Sequence, residues 1–260
     1  MRGTIVLLAT MALTVLVASG VALAVAIGSA GAQSSVVGPG ESIQKAINAA
    51  DPGDTIVVKG VHREDVVIRK DGIKLRGDDA VIEAPTRAKA DSPCSKTFGP
   101  EAICVLGDEN IKTGKLEGQR VSDVSVSGFT IRGFEIEGKG DNDAFVIDVI
   151  GARNATVVEN RAIGNVASGI NAFGSINTTV ARNDVTGDPR GEVEGINISD
   201  GRNTKIVNNV VKGYFIGIEA DANSVNTTIA GNKSIGNSLV GISSFEATGT
   251  KMLSNTTRRN

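Results

Sequence analysis

Short runs of β-branched residues, separated by Asn and Gly, recur along the second half of the chain. Each unit opens with Asn, passes through a second Asn and ends in Gly-Ile, as in NTTIAGNKSIGNSLVGI at 226–242. The repeats occupy 154–255 with a period of about 23 residues, and their leading positions are Asn154, Asn177, Asn203, Asn226 and Gly249. A fixed period of this length indicates a stacked architecture, in which one unit cannot bury its apolar face alone.

The alternation of apolar and polar residues within each run predicts strands. Two or three short Val/Ile runs per unit, divided by Asn/Gly turns, match one coil of a parallel β-solenoid. Gly and Asn tolerate the positive φ of such turns, and an Asn repeated once per coil would stack its amides along the solenoid. Further strands are predicted at 55–59, 66–69, 73–76, 81–83 and 102–106. The predicted fold class is all-β, a single-stranded parallel β-helix.

A short helix is predicted ahead of the first coil. Four apolar residues share one helical face, namely Ile43, Ala46, Ile47 and Ala50. Ser42 is placed to cap the N terminus of this helix, and 51–53, Asp-Pro-Gly, would end it. We expect the helix to cover the open apolar end of the solenoid.

The first 32 residues have the pattern of a secretory signal peptide. A basic start at Arg2 is followed by an apolar run and by the small-residue site 30–32, Ala-Gly-Ala. Cleavage after Ala32 is the first interpretation, and an uncleaved membrane anchor is the second. Both place the folded part, 33–260, outside the cytoplasm as one secreted or cell-surface domain. A membrane is a partner only under the second interpretation.

Composition narrows the class further. The chain has no Trp and 3% aromatic residues, so its core must be built from Val, Ile and Ala. The net charge is −2 and the basic residues are scattered, which argues against a nucleic-acid partner. Cys94 and Cys104 are the two cysteines, and in an exported chain they predict a disulfide that ties the polar segment 85–101 to the strand at 102–106.

Two segments carry a resemblance to a known group. The opening VVGPGESIQKAINAADPGDTIVVKG at 36–60 and the repeated coils resemble secreted bacterial right-handed parallel β-helix repeat proteins of the pectin-lyase-like superfamily. The resemblance spans about 36–255 and implies a right-handed coil. It implies no single reaction, because this fold carries lyases, hydrolases, epimerases and proteins with no known activity.

The catalytic signatures of that superfamily do not carry over. Polygalacturonases carry paired aspartates together with a Gly-His-Gly and an Arg-x-Lys motif. Here only the aspartates of the segment 77–79, Gly-Asp-Asp, occur. The Asp-Pro-His-Asp of alginate epimerases is absent, as are the Met- and His-rich sets of copper-binding members. The single histidine, His62, is predicted to pack at a turn.

The Gly-Ile strands nevertheless predict a polar row on one face. If their Ile residues point inward, the next residues point outward and stack from coil to coil. This row comprises Asp148, Asn171, Asn197, Glu219 and Ser243, with Cys104 ahead of it, so the disulfide loop would lean over the row. Phe173, Ser199, Asp221 and Phe245 follow two positions later, and Asp200 lies at the next turn. We predict that an extended polysaccharide binds here.

Two acids in this region are close enough for catalysis. Glu219 and Asp221 lie about 7 Å apart along one strand face, within the range that paired carboxylates use. The alternative is a solvated face with incidental acids. If the chain is an enzyme, lyase or epimerase chemistry is favoured over hydrolysis; the rival function is a non-catalytic structural or adhesive module that self-associates through its C-terminal rung.

No cofactor is required by the sequence, but calcium is one interpretation of an acidic segment. Asp141 and Asp143 flank Asn142 ahead of Asp148, which clusters hard oxygen ligands. The spacing also suits a plain acidic turn, so both interpretations stay open.

Overall fold

The computed structural model describes residues 31–85, 92–94, 101–107, 109–110, 115–116, 118–134, 145–165, 167–187, 193–221 and 223–260. They form a right-handed parallel β-solenoid with a short helix at its N-terminal end, as predicted. Residues 1–30 of the predicted signal segment, which spans 1–32, lie outside the described residues. No helix of the described part is long and apolar enough to cross a membrane.

The larger sheet has 14 strands and forms two walls of the solenoid. Its strands are β1 (Ser34–Val37), β2 (Thr55–His62), β4 (Lys74–Glu83), β9 (Ser125–Arg132), β12 (Thr156–Val158), β13 (Arg161–Ile163), β15 (Thr179–Ala181), β16 (Asp184–Thr186), β18 (Lys205–Val207), β19 (Val210–Lys212), β21 (Thr228–Ala230), β22 (Lys233–Ile235), β24 (Lys251–Leu253) and β25 (Thr256–Arg258). The long strand β9 pairs with β12 through its first half and with β13 through its second, which joins the two walls.

The third wall is a seven-stranded sheet, called here the front sheet. Its strands are β3 (Val66–Ile68), β5 (Ile103–Leu106), β10 (Phe145–Ile150), β14 (Ser168–Phe173), β17 (Glu194–Ser199), β20 (Ile216–Asp221) and β23 (Val240–Ser244), and all of its pairings are parallel. Two small sheets complete the described strands: β8 (Val121–Ser122) with β11 (Ala152–Arg153), parallel, and β6 (Glu109–Asn110) with β7 (Lys115–Leu116), antiparallel.

One detail of the strands differs from the prediction. The two strands predicted at 73–76 and 81–83 are one bent strand, β4, whose register shifts between Arg76 and Ala80. At the bend, a Cβ added to Gly77 would lie 2.4 Å from the carbonyl oxygen of Gly128 on β9. Glycine therefore lets the two backbones approach, and the strand turns the corner without ending.

The glycine of each Gly-Ile pair has a role that periodicity alone did not show. A Cβ added to Gly195 would lie 2.2 Å from Cγ1 of Val211 and 2.5 Å from the carbonyl oxygen of Gly217. The front sheet thus packs directly against the opposite wall at this position. The next residue is fully buried in three coils (Ile170, Ile196 and Ile218) and partly buried in the last (Ile242), which confirms the predicted inward row.

Asparagines form two ladders along the solenoid. The exposed ladder contains the leading Asn residues, which have φ near +57°, as Asn154 and Asn177 show with φ of 55° and 58°. Each donates its amide to the residue one coil earlier, for example Asn177 Nδ2 to Asn154 Oδ1 at 3.1 Å. The buried ladder consists of Asn160, Asn183, Asn209, Asn232 and Asn255. The predicted stacking of Asn amides from coil to coil is confirmed in both ladders.

Helix α1 (Ile43–Ala49) closes the N-terminal end of the core. Ile43 and Ile47 are buried against the first coil, and Ser42 Oγ accepts a hydrogen bond from the Lys45 N–H at 3.2 Å. Both the predicted cap residue and the predicted buried face are confirmed. His62 is buried nearby, with its ring nitrogens 3.0 Å from the backbone oxygens of Glu41 and Lys59, so its packing role is confirmed as well.

Candidate functional site

The register of the front sheet stacks one polar residue per coil on its outer surface. We call this the outer row, and its members are successive Cα partners: Cys104, Asp148, Asn171, Asn197, Glu219 and Ser243. This is the row that the sequence predicted. Its members lie one rung apart, about 4.8 Å by the usual strand spacing.

A second row runs beside it, two residues further along each strand. Phe173 pairs with Ser199 and Ser199 with Asp221. The Phe245 N–H donates to the Ala220 oxygen at 3.0 Å, which continues the register. The two aromatic residues differ in environment: Phe245 is 62% exposed, whereas Phe173 is half-buried and packs on the apolar cluster described next.

The N-terminal end of the outer row is covered. The predicted disulfide between Cys94 and Cys104 is present, and its sulfurs pack with Val67, Leu106 and Ile150 in an apolar cluster on the outer surface of the front sheet. The disulfide therefore attaches Cys94 to the outer row at Cys104.

Burial of the row itself was not evident from the sequence. Asp148 is 2% exposed and Asn171 is 7% exposed. The Asn171 amide donates to Asp148 Oδ1 at 2.9 Å. This end of the row is therefore buried and hydrogen-bonded, and the accessible part begins near Asn197.

Three carboxyl groups gather further along the row: Glu194, Glu219 and Asp221. Burial raises the pKa of Asp221 from 3.8 to about 6, and the charge of Glu219 adds to the effect. Burial likewise raises the pKa of Glu194 from 4.5 to about 6, again with Glu219 contributing, while a hydrogen bond from Ser168 opposes the rise. Near neutral pH the group can therefore hold or release a proton within reach of a ligand.

The geometry of the group follows from the strands. Glu219 and Asp221 alternate on β20 and so face the same side, about 7 Å apart along the chain. Asp200 follows β17 directly, and its charge also raises the pKa of Asp221. The structure thus brings the predicted acids together on one surface.

Glu194 was missed by sequence reasoning. It occupies the first position of β17, where its register partner in β20 is Ile216 and where β14 has Ser168. The available signal was the position directly before Gly-Ile. Glu194 is an acid there, whereas the other coils have apolar or small residues. The turn before Gly-Ile varies in length, however, so the position could not be aligned by eye.

Unpaired acceptor atoms mark the same surface. The buried oxygens Asn171 Oδ1, Asn197 Oδ1 and Asp221 Oδ1 have no hydrogen-bond partner among the described residues. Buried polar atoms in proteins are almost always paired, and leaving one unpaired costs about 1–3 kcal/mol. All three atoms can accept a hydrogen bond from a ligand.

A buried glutamate next to the disulfide was also missed. Glu101 is 1% exposed and directly precedes the strand segment at 102–106. Burial raises the pKa of its carboxyl well above the ordinary value, and the charges of Asp148 and Asp65 add to the rise. One carboxylate oxygen of Glu101 lies within 4.8 Å of both cysteine sulfurs.

Asp141 and Asp143, the predicted calcium ligands, fall outside the described residues. A cleft of about 520 Å³ opens on another wall, lined by Arg63, Glu83 and Arg132. Glu83 pairs with both arginines, and Arg132 Nη2 lies 2.6 Å from Glu83 Oε1, so the carboxylate of this cleft is already bound.

Comparison with known proteins identifies the fold. No curated protein matches the chain at a significant level. The chain is similar in structure to XylC in complex with xylose, with a TM-score of 0.56, 10% identity, and 86% of this chain and 66% of that chain covered. It is similar to DFA-IIIase from Arthrobacter chlorophenolicus A6 in complex with GF2, with a TM-score of 0.51, 16% identity, and coverage of 76% and 53%.

A protein described as a glycoside hydrolase has a TM-score of 0.51 and 13% identity, with coverage of 80% of this chain and 37% of that chain. The chain therefore spans between about a third and two thirds of these structures. At such identities the likeness shows the fold alone. The family model described as "Right handed beta helix region" matches residues 101–257, more than half of the sequence, and the chain belongs to that family.

Proposed function

We propose that this chain is an exported β-helix protein that binds an extended polysaccharide along the accessible part of the outer row. The observation that carries the proposal is the pair of unpaired acceptors Asn197 Oδ1 and, in the neighbouring row, Asp221 Oδ1. Sugar hydroxyl groups are hydrogen-bond donors, and a ligand that donates to these atoms removes the cost of leaving them unpaired.

The spacing of the row supports an extended ligand over a compact one. Acceptors one rung apart, about 4.8 Å, can meet successive hydroxyl groups along a chain that runs parallel to the solenoid axis. Phe245, exposed at the far end, offers a ring face to a sugar. The sugar ligands named for two structures of the same fold, xylose and GF2, agree with this choice of ligand class.

The acid group supports a second function, processing of the bound polysaccharide by lyase or epimerase chemistry. Both reactions need a proton to be removed from a sugar carbon and a proton to be supplied. Glu194 and Asp221 each have a pKa of about 6, so near that pH each carboxyl group is present both as a proton acceptor and as a proton donor. We assign Glu219 and Asp221 as the acid pair in this candidate function.

The experiment is incubation of the purified chain, with and without calcium, with a panel of uronate-containing and neutral polysaccharides. Binding is measured by retention in affinity electrophoresis, and turnover by ultraviolet-absorbing unsaturated ends, new reducing ends and the C-5 epimer content by NMR. Glu219→Gln and Asp221→Asn should abolish turnover. The matched control is Glu159→Gln, because Glu159 is an exposed acid on another wall, paired with Arg182.

Loss of retention in Asn197→Ala, with the control retained, supports binding at the row. Retention of every polysaccharide by the row variants and the wild type alike would contradict it. Turnover that survives in both acid variants would end the assignment of Glu219 and Asp221.

A third candidate, an adhesive module that self-associates, rests on the last coil. Met252 is 45% exposed and Leu253 is 54% exposed, although the equivalent inward residue one coil earlier, Ile229, is fully buried. Sedimentation should then show self-association that deletion of 250–260 removes. A chain that sediments as a monomer at all concentrations would exclude this function.

A further inference from the structure

Three arginines lie together at the corner of the solenoid that follows the second row. Arg153 and Arg202 occupy the same register position in alternate coils, and Ile176 holds that position in the coil between them. The two arginines are therefore two rungs apart, about 9.6 Å by the usual strand spacing. Arg120 directly precedes β8, and its Nη1 donates to the backbone oxygen of Gly174 in the middle coil. The fold thus assembles three cations that are far apart in the sequence.

These three charges are not neutralised within the part of the chain that the structure describes. Arg120, Arg153 and Arg202 form no ion pair among those residues. Arg120 is half-buried, whereas the other two arginines are exposed. Burial lowers the pKa of Arg120, and the neighbouring charges of Arg153 and Arg202 lower it further. Like charges held together destabilise the fold, and a bound anion removes that cost.

The acids of the same corner interact with other groups. Asp123 Oδ1 accepts a hydrogen bond from Asn154 Nδ2 at 2.9 Å. Asp71 Oδ1 accepts one from a backbone N–H of β8 at 2.6 Å. The charge of Asp200 acts on Asp221, whose pKa it raises. The guanidinium groups are therefore presented to a ligand without a described carboxylate bound to them.

We propose that Arg120, Arg153 and Arg202 bind a sulfate or phosphate ester group carried by the polysaccharide. Guanidinium groups donate pairs of parallel N–H bonds to oxyanions. A carboxylate offers two oxygens in one plane, whereas a tetrahedral ester group offers oxygens in three directions and can contact arginines from neighbouring coils. Because the Gly174 oxygen holds Arg120, the orientation of this guanidinium is fixed before a ligand binds.

The acids of the front sheet favour a polymer with sparse ester groups over a polyuronate. Glu219 and Asp221 lie on the front sheet, and a polymer with a carboxylate on every sugar would place negative charges against them. A polymer with sparse charges can place neutral sugars there and an ester group at the corner. Gly174 directly follows Phe173 of the second row, so the two surfaces adjoin. This inference names the class of polysaccharide and therefore rests on the proposed function.

The test measures retention of the purified chain in affinity electrophoresis at fixed ionic strength. The probes are dextran, dextran with sparse sulfate esters, dextran with sparse phosphate esters, and polygalacturonate. The two ester-bearing polymers should be retained with an affinity at least about tenfold higher than dextran. Arg120→Gln and Arg202→Gln should remove this gain and leave the retention of dextran unchanged. Arg202 is exposed, so its variant tests the site even where Arg120→Gln disturbs the turn.

The matched control is Arg161→Gln, which should bind like the wild type. Arg161 is an exposed arginine of β13, on another wall, and it has no ion pair among the described residues. An equal loss in this control would mean diffuse attraction between charges and would overturn the inference. Retention of sulfated and phosphorylated dextran no better than that of dextran or polygalacturonate would also overturn it.

Asn197→Ala separates this inference from the proposed function. If Asn197→Ala lowers the retention of every polymer and the arginine variants bind like the wild type, the outer row binds polysaccharide and the arginine site is wrong. If the arginine variants lose the ester-bearing polymers and Asn197→Ala changes nothing, the arginine site stands and binding along the outer row is wrong.

Discussion

Asn183 and Asn197 belong to one repeat and differ completely in hydrogen bonding. Asn183 is 1% exposed, donates to the Val157 oxygen and to Asn209 Oδ1, and accepts twice from Asn160. Asn197, on the outer row, has a buried Oδ1 with no partner among the described residues. The same type of side chain therefore forms its hydrogen bonds within the fold at one position and has an oxygen without a partner at the other.

This difference distinguishes side chains that stabilise the fold from side chains that are available to a ligand. A side chain whose donors and acceptors are all used stabilises the coil and can bind nothing else. A side chain with a free acceptor stabilises the coil little, and its free atom is available to a ligand. Period alone does not distinguish the two, because both kinds of Asn recur once per coil.

The largest effect is expected from Asn183→Ala. The substitution removes four side-chain hydrogen bonds and leaves the Asn160 N–H without its acceptor in the interior, while Asn209 Oδ1 keeps only the bond from the Asn183 backbone N–H. At about 1 kcal/mol for each bond, the free energy of unfolding should fall by about 4 kcal/mol. Urea denaturation followed by circular dichroism measures it.

Asn197→Ala is the matched control in the same repeat. Its free energy of unfolding should change by less than about 1 kcal/mol, because no partner loses a bond at Oδ1. Equal losses for the two variants would remove the distinction between ladder and row.

The next effect is expected from Gly195→Ala. The new methyl group would lie 2.2 Å from Val211 Cγ1 and 2.5 Å from the Gly217 oxygen, so the backbone or the valine must shift. Such overpacking costs about 3 kcal/mol. Differential scanning calorimetry should show a lower melting temperature, whereas Gly236→Ala, in open space but at positive φ, should lose only about 1 kcal/mol. A smaller loss at Gly195 would mean that the two walls are not in contact there.

A smaller effect is the pH dependence that Glu194 produces. Its pKa is raised from 4.5 to about 6 on folding, so the folded state holds the proton more tightly than the unfolded state. Its stabilising contribution is complete below pH 4.5 and is lost as the pH rises through 6, a fall of about 2 kcal/mol. Glu194→Gln should flatten this part of the curve of urea midpoint against pH.

Glu83 provides a control of opposite sign. A hydrogen bond from Arg132 lowers its pKa, so its contribution is present above its usual pKa and is lost as the pH falls. Glu83→Gln should leave the decline between pH 4.5 and 6 unchanged. If both substitutions abolish the fall in stability between pH 4.5 and 6, the acid group on the outer row does not cause that fall.

The smallest effect is expected on the exposed ladder. Asn226 has φ of 59° and donates to Asn203 Oδ1 at 3.3 Å in solvent. Asn226→Gly keeps the left-handed conformation, and Gly249 already occupies the equivalent position one coil later. The free energy of unfolding should change by less than about 0.5 kcal/mol, measured by urea denaturation. A loss as large as that of Asn183→Ala would show that exposed and buried ladders contribute alike.

Much of the fold could be predicted because the strand period constrains it. Once Ile170 and Ile196 were assigned to the interior, Asn171 and Asn197 had to lie outside, and the observed register agrees. The disulfide was predictable from two cysteines in a chain whose N-terminal pattern predicts export. Capping by α1 was predictable because Ser42 and the helical face of Ile43 and Ile47 are local signals.

The remaining parts of the site depend on contacts that no local pattern encodes. Glu194 is the first residue of β17, three residues before Asn197 of the row, and the length of the turn before it hides its alignment with the other coils. Asp148 and Asn171 are buried in the row that contains Cys104, and the disulfide partner of Cys104, Cys94, comes from a part of the chain distant from both.

Coils of unequal length share the same ladders. Asn160 and Asn183 are 23 residues apart, Asn183 and Asn209 are 26 apart, and both steps of the ladder are intact. The register places the additional residues between Thr186 and Ile196, just ahead of the strand that brings Asn197 to the surface. An evolving gene, or an engineer grafting loops, can therefore change the length of this segment beside the acids and alter ligand preference, while the asparagines continue to set the winding of the solenoid.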